Sequence, residues 1–145
     1  MIEFFATLAA GLWAGAALYI AISEHPSALK VGVGFATEYF RFMSKRTAPL
    51  MMVLSAIGGS AGLFAWYQSG EAGWLIGAVL LLGMFPFTGL LIVPTNWKLL
   101  KVDTKTDETT ALALHRKWAR MHNLRTLLGV PAFLIFLWLL IAPAA

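Results

Sequence analysis

The sequence predicts an all-α integral membrane protein, a four-helix bundle with both termini outside and a long fourth helix projecting into the cytoplasm. Three observations point there. Of 145 residues 59% are hydrophobic and only 12% charged, and the apolar residues gather into runs long enough to cross a bilayer. All 11 Lys and Arg residues fall in two segments, four between Lys30 and Arg46 and seven between Lys98 and Arg125. In a four-span chain these are the first and third connections, so by the positive-inside rule both are cytoplasmic, in a membrane of the bacterial inner (plasma) type. Finally, a helical pattern running from about Thr106 to Ala142 measures about 54 Å, well beyond a hydrocarbon core of about 30 Å, so its first turns project from the membrane. The formal charge of +4 is therefore orientation and lipid contact, not a nucleic-acid patch. No cysteine is present, which excludes disulfides, thiolate metal ligands and a cysteine nucleophile.

Residues 1–145 read as a single transmembrane domain with spans at about 2–23, 47–67, 74–93 and 123–142. The first is too long for a signal peptide's apolar region and carries Glu3 where a signal would be basic, so it is expected to be retained. Gly11 and Gly15 give it the small-residue spacing of a close helix contact, within the chain or in a homo-oligomer. Pro26 disfavours the α conformation at His25, so the helix should loosen at Glu24-His25-Pro26. Residues 27–46 fit a short interfacial helix or an extension of the second span, for which Thr47 is a candidate N-cap and Pro49 a first-turn residue. Trp66 and Tyr67 mark the outer interface, and the brief link Gln68 to Gly73 makes spans two and three a hairpin. Pro86 should kink the third span and Pro94 close it. Asn96 then caps or turns the chain, or aims its amide at the cytoplasmic mouth. Thr106 is a candidate cap for the last helix, with Asp107 and Glu108 in its first turn and a bend at Pro131.

Chemistry concentrates at the start of that helix. At roughly 100° per residue, His115, Trp118, His122 and Arg125 share an arc of about 80°, whereas Arg116, Lys117 and Arg120 lie opposite. An interfacial anchor accounts for a tryptophan and arginines. Two histidines in register with them favour a site. Glu24-His25, Asn96-Trp97 and this stripe all belong to one membrane side, which predicts a pocket between helix ends for a hydrophobic ligand with a polar centre. His115 and His122 are about 10.5 Å apart along a helix, too far to grip one ion together. A transition metal would need His25 with His122 or His115, and Glu24; a haem would take one axial histidine from each of two helices.

Glu24-His25-Pro26 with Ala28-Leu29, Pro94-Thr95-Asn96 with Leu99, and Trp118-Ala-Arg-Met-His122-Asn-Leu-Arg125-Thr126 resemble a small four-span membrane family that includes anthrone oxygenases. The resemblance implies oxygenation of a hydrophobic polycyclic phenolic ketone at its activated methylene. His122, Arg125 and His25 are then the expected catalytic residues, and Trp118, Asn96, Trp97 and His115 the substrate-binding ones. His122 as base would form a carbanion, held by Arg125, that reacts with oxygen directly, so no cofactor is required by this mechanism. Two rivals remain: a non-enzymatic subunit binding haem or a metal through the same histidines, and a structural or lipid-interacting protein.

Overall fold

The computed structural model describes residues 1–141. Among these, four helices are long and apolar enough to cross a membrane: α1 (Ile2–Val31), α2 (Val33–Ser69), α3 (Ala72–Lys101) and α4 (Glu108–Ile141). They run up and down, and each packs on its sequence neighbours, with α4 closing the ring against α1. Exposed apolar side chains such as Ile22, Leu90, Leu127 and Trp138 cover the outside, as a lipid-facing surface requires.

At about 1.5 Å per residue all four helices exceed a bilayer's hydrocarbon thickness. The excess gathers at the basic end of the bundle, where the helices continue past the spans read from sequence. α1 continues through Pro26 to Val31, and α2 restarts after a single residue, Gly32. Gly32 adopts φ 149 and ψ 152, a conformation open essentially to glycine alone. Residues 33–46 are thus the extension of the second span, not a separate interfacial helix. Thr47 and Pro49 lie inside α2 rather than at its start, since α2's contacts with α1 and with the end of α3 keep it helical there. Pro94 does not close the third span either; α3 runs on to Lys101. Its interruption comes at Gly83, three residues before Pro86, and α4 passes through Pro131 without a break. The expected end of the last span at Ala142 falls outside the described residues.

Pro26 and Pro94 share a local device. Each follows a wide π turn, Ile20–Glu24 and Thr88–Ile92, in which the amide of His25 reaches the Ile20 carbonyl and that of Val93 the Thr88 carbonyl. A proline ring clashes with the carbonyl four residues back; one wider turn relieves the clash without ending the helix. The helix start at α4 is capped by Asp107, whose carboxylate accepts the Thr110 amide at 3.0 Å. Thr106 instead donates to the Asp103 carbonyl in the preceding turn. The hydrogen bonds from Thr110 hold the Asp107 carboxyl below its usual range. A depressed acid contributes its stabilisation above its unfolded value, so the cap is made at neutral pH and is lost on acidification through the lowered one.

Small residues let the helices approach. Ala6, Ala10, Ala65, Ala78 and Ala132 are fully buried, the Phe136 ring fills the space left by Gly62 and Gly77, and Phe133 lies against Gly11. The Trp13 ring occupies the notch at Gly129, where a Cβ would be inside contact distance of the indole. Gly15, by contrast, has nothing within 4 Å of the Cβ position. Gly129→Ala is therefore expected to destabilise the bundle by about 1–3 kcal/mol through overpacking. Gly15→Ala should be neutral or stabilising by up to about 1 kcal/mol. Unfolding midpoints of the two variants in detergent, compared with the unaltered chain, check the pair.

Candidate functional site

The π turn in α1 and the first turns of α4 place the histidines in two groups on either side of Trp118. In the first, His25 Nε2 and His115 Nδ1 are 3.2 Å apart, and His115 Nε2 lies 3.1 Å from the Thr37 hydroxyl. Thr37 donates its single proton to the Val33 carbonyl at 2.9 Å. It must then accept from His115 Nε2, which leaves His115 Nδ1 to accept from His25 Nε2. Hydrogen bonding alone thus fixes both tautomers. His25 retains 7% exposure whereas His115 has none, and Phe40 closes the pair edge-on against His115.

In the second group, His122 Nε2 donates to the Ala17 carbonyl at 3.0 Å. Its Nδ1 therefore carries the lone pair, and Arg125 Nη2 donates to it at 3.1 Å. Trp118 joins the groups, with its ring centroid 4.8 Å from that of His122 at 12° and 4.9 Å from that of His25 at 37°. Beyond His122 the Arg125 guanidinium lies over the Trp13 ring, 5.6 Å from its centroid. Two helices, α1 and α4, thereby supply one column of flat groups, with Phe40 of α2 edge-on against it and the Thr88 hydroxyl of α3 at Arg125.

Arg125 is the electrostatic anomaly of this column. It is 7% exposed, within a membrane-spanning helix, yet the ion pairs among the described residues are Met1 with Glu3 and Arg41 with Glu38. Its acceptors are neutral: His122 and, at 3.4 Å, the Thr88 hydroxyl. Arg125 Nε has no acceptor, Trp118 Nε1 has none, and Asn96 Oδ1 has no donor. All three residues line a single cavity of about 30 Å³. That volume holds a water or another molecule of similar size. Met43 and Met51 form part of the wall on α2, and flexible thioethers let such a wall yield to a larger guest. Buried polar atoms without partners are costly in a finished interior, and three of them belong to residues around one cavity, which makes it the candidate site.

The remaining expected residues are placed as follows. Asn96 reaches the cavity as an amide, not as a helix cap. Trp97 does not reach it; the ring is 63% exposed on the outside of α3 with Lys101 Nζ 6.0 Å from its centroid. Continuation of the helix past Pro94 turns these adjacent residues about 100° apart. His115 pairs with His25 and stays off the cavity. The expected metal set of His25, His122 and Glu24 does not converge, because Glu24 accepts the Tyr39 hydroxyl, while the two histidines take the different partners described above. Among the described residues, no three His, Asp or Glu side chains are grouped as metal ligands. Thr37, Thr88 and Trp13 were not anticipated. Threonines in apolar helices carry no signal of their own, but Trp13 stands mid-span, away from the interfaces where tryptophan collects, and that position is a usable hint.

Thr37→Val keeps the side chain's shape and removes the acceptor for His115. It should destabilise the protein by about 1–3 kcal/mol, the cost of an unpaired buried donor. Thr37→Ser, which keeps the hydroxyl, should lose much less; unfolding midpoints in detergent separate the two.

No curated protein and no solved structure matches the chain. A family model described as anthrone oxygenase matches residues 37–135, more than half of the sequence. The matched range includes Thr37, Asn96, His115, Trp118, His122 and Arg125, and leaves out Glu24-His25-Pro26 and the rest of α1. The cavity's polar residues thus all fall within the matched range, and on the extent of that match this four-helix chain belongs to the anthrone oxygenase family.

Proposed function

We propose that the protein is a membrane oxygenase that converts the activated methylene of a hydrophobic polycyclic phenolic ketone, an anthrone or close analogue, to a carbonyl. The cavity at the basic end is its site, and that end faces the cytoplasm by its charge. The observation that carries this reading is Arg125: a buried cation without a counter-anion that lines a cavity together with Trp118, whose Nε1 also lacks an acceptor. Family membership supplies the substrate class.

An anthrone is neutral until a proton leaves its methylene carbon, and the resulting charge then spreads to the ketone oxygen. Donors from Arg125 and Trp118 that engage this oxygen favour the anion over the ketone, which is stabilisation of developing charge. Asn96 Oδ1 can accept from a phenolic hydroxyl of the same ligand. The apolar walls exclude water and leave dioxygen, itself apolar, free to dissolve in the site. Overall one dioxygen is consumed for each methylene: one oxygen atom becomes the new carbonyl, the other leaves as water with the two methylene hydrogens. A tricyclic ligand needs more room than 30 Å³; the half-buried residues Ser44, Thr47 and Ala48 at the cavity's edge on α2 make the α2 side its entrance from the bilayer.

Purified protein in detergent, supplied with anthrone in air, should take up oxygen and produce anthraquinone faster than detergent alone. Arg125→Gln should lower the rate by about 10²–10³-fold, as for loss of a donor to a developing oxyanion. Trp118→Phe, which keeps the stacked ring and loses only the N–H, should cost about tenfold, the equivalent of one neutral hydrogen bond. Retained circular dichroism and elution volume show that the variants fold. Turnover no faster than the detergent blank with the unaltered protein would refute the assignment.

A further inference from the structure

We infer that Arg125 keeps His122 masked until a ligand is bound, so that the arrival of the substrate's oxygen is what releases the base. The inference rests on the proposed oxygenase reading and adds how its proton step is controlled. In the structure His122 has no free nitrogen. Nε2–H is committed to the Ala17 carbonyl, and the Nδ1 lone pair is covered by Arg125 Nη2. A lone pair that accepts a guanidinium N–H is not free to take a proton from a ligand. As it stands, His122 is not a base.

The covering bond is nevertheless the weak point of the site. Arg125 is held by one neutral imidazole, one long contact to Thr88 and the face of Trp13. Among the described residues it has no carboxylate partner. A ketone oxygen on which negative charge is developing is a far better acceptor, because hydrogen bonds between ionised partners are roughly twice as strong as neutral ones. Arg125 Nε and Trp118 Nε1 lack acceptors, and both residues line the cavity. Once the ligand oxygen sits there, the guanidinium turns toward it and Nδ1 is uncovered on the cavity side.

The proton step then balances within the site. The methylene C–H bond breaks, its electron pair delocalises onto the ketone oxygen between Arg125 and Trp118, and a new N–H bond forms at His122 Nδ1. Two features prepare His122 for the positive charge. Its Nε2–H already donates to a carbonyl, which suits an imidazolium as well as an imidazole. Its ring also lies nearly parallel to Trp118, whose face attracts a cation. The negative charge passes to the ligand and meets Arg125, so the site as a whole gains no charge. With no ligand present, the base stays covered.

Anthrone bound to the full chain in detergent without oxygen tests this apart from turnover. With the unaltered protein at neutral pH, the absorption of the delocalised anthrone anion should appear. A ¹⁵N spectrum of the histidine rings should show His122 Nδ1 unprotonated before anthrone is added and protonated after. His122→Gln keeps a donor for Ala17 but offers no base; it should still bind anthrone, followed by quenching of tryptophan fluorescence, with the anion band lost and turnover in air lowered by about 10²–10⁴-fold. An anion band that survives in His122→Gln would assign the proton to another base and overturn the inference while leaving the oxygenase reading intact. So would a wild-type Nδ1 that stays unprotonated while turnover proceeds. Absence of anthrone binding together with absence of turnover removes both. If His122→Gln fails to fold, the ¹⁵N spectrum of the unaltered protein decides alone.

Discussion

One positive charge, carried by Arg125 into the interior of an apolar bundle, organises the basic end of this protein. An ammonium or guanidinium so placed is expensive unless an anion or several good acceptors accompany it. Here the protein offers only moderate compensation: a ring face from α1, a hydroxyl from α3 and an imidazole from its own helix. Each of these partners is in turn held by something else. Trp13 needs the notch at Gly129, His122 needs the Ala17 carbonyl, and Thr88 opens the π turn that carries α3 past Pro94. The incomplete compensation is what leaves donors free at the cavity.

The histidines divide the labour accordingly. His25, His115 and Thr37 form a chain of fully assigned hydrogen bonds that ties α1, α4 and α2 together and carries no charge. A neutral polar network whose members are satisfied costs little and fixes one arrangement. Trp118 stands between it and His122, touching both. The rigidity of the first group holds the indole, and the indole holds His122.

Periodicity alone revealed much of this site. The stripe His115, Trp118, His122, Arg125 is visible because a helix repeats every 3.6 residues, and the concentration of cations identified the end of the bundle to which it belongs. Helix existence was equally legible from apolar run length, whereas helix ends were not. Five prolines sit inside the long helices, and a single sequence gives no account of which proline stops a helix and which is absorbed when neighbours hold the segment in place. That one difference explains why Trp97 was expected in the pocket and lies outside it. The pairing of His25 with His115 rather than His122 was hidden for a related reason: a π turn shifts the facing of everything beyond it, and no residue type announces one.

Those widened turns have a consequence for how such a chain can vary. A π turn amounts to one residue more than a regular helix needs, so the stretch beyond it is rotated by about 100° relative to the stretch before. α1 and α3 each contain one, at the boundary between the lipid-facing half and the half that bears His25 or Asn96. Each helix therefore keeps two independent phases, one matched to the bilayer and one to the buried polar groups at the basic end. Loss of a single residue from the turn in α3 would leave the stretch before it undisturbed while swinging Asn96 away from the cavity, whereas the same loss in α1 would part His25 from His115, so the two deletions would alter the cavity's lining and the bundle's stability respectively.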